Sequence, residues 1–136
     1  MPPGFRPALS FKTHIAQIKS LPPGSAISYG NTYRTTGQET IAVIPVGYAD
    51  GFRRAPSHWG HVLVRGKRAP IVGRVCMDQT MIDVSDFKDV RHGEEIVLLG
   101  KQGGEEITIY EMMKILNTIP NDILVNFGKR INRIYI

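Results

Sequence analysis

A chain of 136 residues with 42% hydrophobic and 21% charged residues has ordinary globular composition, which excludes wholesale disorder and collagen-like repetition. Its 17 Lys and Arg against 12 Asp and Glu give a formal net charge of +5. No apolar run approaches the roughly 18 residues of a membrane span, and one cysteine, Cys76, leaves no internal disulfide and no cysteine-rich metal site. The length fits a single domain over residues 1–136, or one half of something larger.

Residues 1–7 are expected to form a disordered start. The opening MPPGFRPALS carries no hydrophobic core of the signal-peptide kind, so a cytoplasmic location is expected. Ala8–Leu21 alternates at Leu9, Phe11 and Ile15, then shifts to Ile18 and Leu21. Such a pattern reads as a long strand with a register change, or as a short helix. Pro22-Pro23-Gly24 ends it. Ser25–Tyr29 reads as a short strand, Thr35–Gln38 as a turn, and the nearly continuous apolar run Glu39–Tyr48 as a buried strand with an edge or bulge at Pro45.

Asp50-Gly51 is a turn signal. His61–Val64 and Ala69–Val75 flank Arg65–Arg68 as a hairpin with a basic tip. Met81–Val84 and Glu95–Leu99 are further strand candidates. Gly103-Gly104 reads as a turn rather than a phosphate-binding fingerprint. Thr108 followed by Glu111 is a capping-box pattern, and Ile109, Met112, Met113 and Leu116 recur at helical spacing behind it. Pro120 should stop that helix, Ile123–Phe127 is a short apolar segment, and Arg130–Ile136 reads as a final strand. About eight strands with one or two late helices suggest a mainly β fold, a compact Greek-key-like barrel or a sandwich.

The charge is unevenly placed. Arg53, Arg54, Arg65, Lys67, Arg68 and Arg74 lie between Gly51 and Met77 with no acidic residue among them, while the rest of the chain holds 11 basic and 12 acidic residues. The stretch suggests an anionic partner; a solvated basic hairpin explains it equally well.

Few residues fit hydrolytic or metal chemistry. His14, His58, His61 and His92 show no metal-ligand spacing, so no metal site is expected. No G-x-S-x-G occurs, and Cys76 continues an apolar run, which favours a buried, inert thiol over a reactive one. Three segments stand out instead: Ser28–Tyr33 (SYGNTY), Gly47–Arg54 (GYADGFRR) and Gly73–Gln79 (GRVCMDQ). Each is explicable singly by tyrosine corners, Asx turns and strand-edge ion pairs. Their combination and order are not.

Together the three motifs resemble the C-terminal domain of alanine racemase, over nearly the whole chain from Ala8 to Tyr135. The resemblance implies a fold-type III enzyme that uses pyridoxal 5'-phosphate to interconvert L- and D-alanine for the cell-wall peptidoglycan. It implies that Tyr29 is one of two acid/base residues, that the Met77 backbone N–H holds the substrate carboxylate, and that Tyr48, Arg74 and Asp78 line the entryway. In the family the cofactor lysine lies in an N-terminal (β/α)8 barrel. Such a barrel needs roughly 250 residues, so this chain lacks it. The family's C-terminal domain covers the barrel mouth of the other subunit of a homodimer. Tyr29 would then serve a partner's site, and the isolated chain would be inactive.

Removing a Cα proton from one face and returning one to the other is simplest with two bases, while the cofactor serves as electron sink. A tyrosine, with an ordinary pKa near 10, needs cationic neighbours to act as a base near neutrality. Some family members place a phosphate-contacting tyrosine before the closing R-x-x-R; here Val125–Lys129 reads VNFGK, so either that contact is missing or Lys129 or Asn126 takes part of it, and no cofactor-binding residue is assigned. The alternative from another class is a small basic β-barrel that binds nucleic acid, with Phe11, Tyr33, Tyr48 or Phe52 as stacking platforms. The leading expectation includes neither nucleic acid nor membrane as partner.

Overall fold

The computed structural model describes residues 4–55 and 57–136. Residues 1–3 of the expected disordered start lie outside them, and residues 4–7 are exposed chain without strand or helix. The register change is where the fold turns its corner. β1 (Phe11–His14) pairs antiparallel with β9 (Glu95–Gln102), whereas β2 (Gln17–Leu21) pairs antiparallel with β5 (Glu39–Ile44). Between them the Ile15 N–H donates to Glu94 O (3.0 Å) and the Ala16 N–H to Val43 O (2.8 Å). One nearly continuous strand thus serves two sheets. Side chains alternate with period two, so a slip moves the apolar set to the other face, as the shift from Ile15 to Ile18 requires.

The larger sheet runs β1-β9-β6-β7, with β6 at His61–Val64, β7 at Lys67–Pro70 and β10 (Glu105–Ile107) also on β9. The second runs β2-β5-β8, with β8 at Thr80–Asp83. β3 (Ala26–Ile27) and β4 (Tyr33–Arg34) form a two-strand ribbon. The mainly β fold with two short helices near the C-terminus is therefore as expected, but the barrel is not closed. The two main sheets join at the β1–β2 corner and through a single bridge between Ile71 and Ile82.

Other local expectations shift for identifiable reasons. The hairpin turn contracts to Arg65-Gly66, both at positive φ (48° and 72°), the twist a two-residue antiparallel connection demands. β5 ends at Ile44, and Tyr48 falls in a 3-10 turn, Tyr48–Asp50. α1 (Ile109–Leu116) starts as its pattern demands, with the Glu111 N–H donating to Thr108 Oγ1 (3.1 Å). It is stopped by Asn117 in the left-handed conformation, and Pro120 instead opens α2 (Pro120–Val125), where its missing N–H is harmless. Arg130–Ile136 forms no strand.

The core gathers both sheets and both helices. Phe52 and Trp59 are fully buried with ring centroids 4.9 Å apart; Phe127 lies 6.4 Å from Trp59 and 4.8 Å from Phe11. This tilted aromatic group ties the residues after Asp50 to the start of β6 and to the segment after α2. The turn bearing Tyr48 is thereby held on a rigid base.

Candidate functional site

The three sequence motifs meet at one edge of the fold. Tyr29 follows β3 in a 3-10 turn, Tyr29–Asn31, rather than ending a strand, and is 62% exposed. Its turn is tied to the third motif by Ser28, whose backbone has a positive φ (65°) and whose hydroxyl donates to Arg74 O at 2.5 Å. Gly30 leaves room for a side chain, not for another backbone: a Cβ there would lie 3.2 Å from Arg74 Nη1. Tyr48 is 41% exposed. Its N–H donates to Cys76 O and the Ala49 N–H to Met77 O, both at 3.0 Å. Gly47 permits this docking, since a Cβ would fall 2.2 Å from the Cys76 carbonyl oxygen.

Arg54 completes the group. Its guanidinium carbon stands 5.9 Å from the Tyr29 ring centroid and 6.0 Å from that of Tyr48, so one cation faces both phenols. Sequence reasoning passed over Arg54 as an individual residue; its signal was membership of the basic stretch beside the second motif. Met77 is 52% exposed. Its carbonyl is engaged by Ala49, while its N–H has no hydrogen-bond partner among the described residues. Asp78 accepts from Arg130 Nη2 at 2.5 Å, and Asp50 accepts from Arg130 Nε at 2.6 Å. Arg130, expected on a final strand, was not anticipated here.

The basic stretch divides. Arg65 makes a two-pronged pair with Glu94 (2.8 and 2.5 Å), and Arg68 bonds Glu105 (3.0 Å), Glu111 (2.5 Å) and the His61 ring. The Arg68 guanidinium, helped by His61, holds the Glu111 carboxyl below the usual carboxylate range, and burial followed by Arg68 lowers His61. Arg54 and Arg74 have no ion pair with any described residue. Arg65 and Arg68 at the hairpin are satisfied by carboxylates of the chain, and Arg53 lies 3.9 Å from Asp122, whereas Arg54 and Arg74 at the rim are not so paired.

Other candidates take structural roles. Tyr33 donates to Glu39 Oε2 (2.8 Å), and that bond, helped by burial, pushes the phenol up to about 12. Cys76 is half-buried rather than buried, with Sγ 3.5 Å from Ser28 Oγ. Of the four aromatic platforms the nucleic-acid reading offers, Phe11 and Phe52 are buried and Tyr33 is tied to Glu39. Among the described residues no three His, Cys, Asp or Glu are gathered as a metal would need, and no helix is long and apolar enough to cross a membrane.

Two clefts flank the rim. One of about 620 Å³ is lined by Thr32, Tyr33, Arg54, His58 and Arg74; another of about 430 Å³ is lined by Tyr48, Arg53, Arg54, Asp122 and Asn126. No lysine lines either, so neither supplies the amine that an aldehyde cofactor would need for covalent anchorage. Asn126, the residue that caps α2, turns its side chain back to Asp122 O (2.5 Å). A β domain with an open rim of tyrosines, arginines and a backbone donor is the class this geometry defines.

Known proteins agree with that class. The family model described as "Alanine racemase, C-terminal domain" matches residues 8–135. An alanine racemase of Thermodesulfovibrio yellowstonii is 50% identical over 133 residues, covering 98% of this chain and 37% of that protein. The crystal structure of alanine racemase from Bacillus anthracis with bound L-Ala-P superposes with a TM-score of 0.89 at 43% identity, over 96% of this chain and 33% of that one. Alanine racemase from Oenococcus oeni gives 0.90 at 30% identity, over 96% and 36%. The chain belongs to the alanine racemase C-terminal domain family. It spans about a third of the length of these relatives.

Proposed function

We propose that this chain is the C-terminal domain, a single unit over residues 1–136, of a cytoplasmic, homodimeric alanine racemase dependent on pyridoxal 5'-phosphate. Its rim closes over the barrel of the partner subunit, and alone it does not racemise alanine. The observation that carries this reading is the exposed Tyr29 phenol beside Arg54, on a rim where Arg54 and Arg74 have no ion pair among the described residues. A half-site of this kind suits an active site completed by another domain.

The cofactor, held by a lysine of the barrel, would supply the electron sink that makes the Cα proton of alanine removable. Tyr29 Oη holds or accepts one proton at one face of the substrate; the second base, on the opposite face, comes from outside this chain. The Met77 N–H receives the substrate carboxylate, a backbone donor whose own peptide carbonyl, Cys76 O, is pinned by the Tyr48 N–H and so fixed in direction. Tyr48, Arg74 and Asp78 line the way in: Tyr48 narrows it, and Arg74 draws the carboxylate toward the rim. D-alanine so formed would feed cell-wall synthesis.

The test is Tyr29→Phe in the enzyme carrying its barrel. Racemisation should fall by about 100-fold or more, the scale of a lost acid/base group, with the absorbance of the bound cofactor unchanged. Undiminished turnover contradicts the assignment. A second measurement incubates the 136-residue chain with pyridoxal 5'-phosphate and L-alanine: D-alanine formation would contradict the half-site reading.

A further inference from the structure

Three chain segments cross beneath the rim: the turn Gly47–Gly51 with Tyr48, the turn Cys76–Gln79 with Met77, and the segment after α2 that ends in Arg130. The first two are joined by the hydrogen bonds that the Tyr48 and Ala49 N–H groups donate, described above. Those bonds fix the turns only where they touch. Asp78, one residue beyond Met77, is exposed and has Arg130 as its side-chain partner.

Arg130 reaches both turns at once. Nε and Nη2 bond the two carboxylate oxygens of buried Asp50 at 2.6 and 3.2 Å, and Nη2 also bonds Asp78 Oδ1 at 2.5 Å. Asp50 is itself committed to the first turn, since its Oδ2 accepts the Gly47 N–H at 2.9 Å. The same guanidinium therefore grips a buried carboxylate on one turn and an exposed one on the next. A planar fork can hold both in fixed directions; an ammonium offers a point charge without that geometry.

We propose that Arg130 is a positioning residue: by bridging Asp50 and Asp78 it sets the Met77–Asp78 turn against the Tyr48 turn, and so sets where the carboxylate-binding amide stands. It does not touch substrate. The inference rests on the reading of Met77 given above. Lysine at this position keeps a charge beside Asp50 and supports the fold, yet releases Asp78.

The experiment has two arms. In the 136-residue chain, amide hydrogen exchange resolves the Ala49 N–H that bonds Met77 O. Arg130→Lys should lower its protection about tenfold, the scale of one charge-assisted hydrogen bond, with β6 and β9 amides unchanged. Equal loss everywhere, or no loss at Ala49, overturns the role. In the enzyme carrying its barrel, Arg130→Lys should raise KM for alanine about tenfold with kcat within about twofold, and adding Asp78→Asn should raise it no further. An exchange effect without a KM effect, where Tyr29→Phe is inactive, overturns positioning by Arg130. The same result where Tyr29→Phe is active overturns the functional reading beneath it.

Discussion

The two ends of the basic stretch behave differently although their sequence looks alike. At the β6–β7 hairpin, Arg65 and Arg68 find Glu94, Glu105 and Glu111 within the chain. At the rim, Arg54 lies over two tyrosine rings and Arg74 packs against Gly30, neither with a carboxylate among the described residues. Net charge counted along a sequence is thus not charge available at a surface. Glu94 just before β9, Glu105 of β10 and Glu111 of α1 neutralise Arg65 and Arg68 at one end, while Arg54 and Arg74 at the other keep no ion pair among the described residues.

The largest effect expected in the chain itself comes from the base that holds both ends in place. Trp59→Ala should destabilise the fold by about 3–5 kcal/mol, read by denaturant unfolding, since it empties a buried aromatic cluster. A loss under about 1 kcal/mol would mean that the rim does not depend on this core.

Charge removal then separates the two ends. Arg74→Gln in the enzyme carrying its barrel should raise KM for alanine several-fold, roughly 3–10-fold, with little change in denaturation midpoint. An unchanged KM would return Arg74 to a solvated surface residue. Arg68→Gln should do the reverse, lowering stability by about 1 kcal/mol or less, because its side chain is 40% exposed and its charge screened, and leaving KM unaltered. A raised KM in that variant would erase the distinction between hairpin and rim.

The smallest effect concerns Tyr33, the tyrosine of the first motif that is turned inward. Its folded pKa is raised above the ordinary 10, so its hydrogen bond to Glu39 stabilises the fold fully below pH 10 and is lost as pH rises toward about 12. Ultraviolet titration of the phenols should show one late component that Tyr33→Phe removes. A late component that persists would place the hindered phenol elsewhere.

What was legible in the sequence was local. The Thr108–Glu111 cap, the slip between Ile15 and Ile18, and the presence of the β6–β7 hairpin, though not its contraction to a two-residue turn, depend on neighbours a few residues away. The short strands β4 and β10 carry too few residues to show a period. Arg130 and Asp50 are 80 residues apart, and Arg68 and Glu111 are 43 apart, so no periodic signal announces either pair. The tyrosines and Met77 were picked out by motif, but the cation between the tyrosines and the clamp beneath them became visible only when distant turns were brought together.

The sharing of one active site between two subunits is tested most directly by complementation. One inactive variant carries Tyr29→Phe; the other lacks the cofactor-anchoring lysine of the barrel. Random pairing makes half of the dimers mixed, and each mixed dimer has one intact site of two if Tyr29 serves the partner's barrel. Mixing should therefore restore about a quarter of full racemase activity. No recovery in dimers shown to be mixed would place Tyr29 in its own subunit's site and contradict the account.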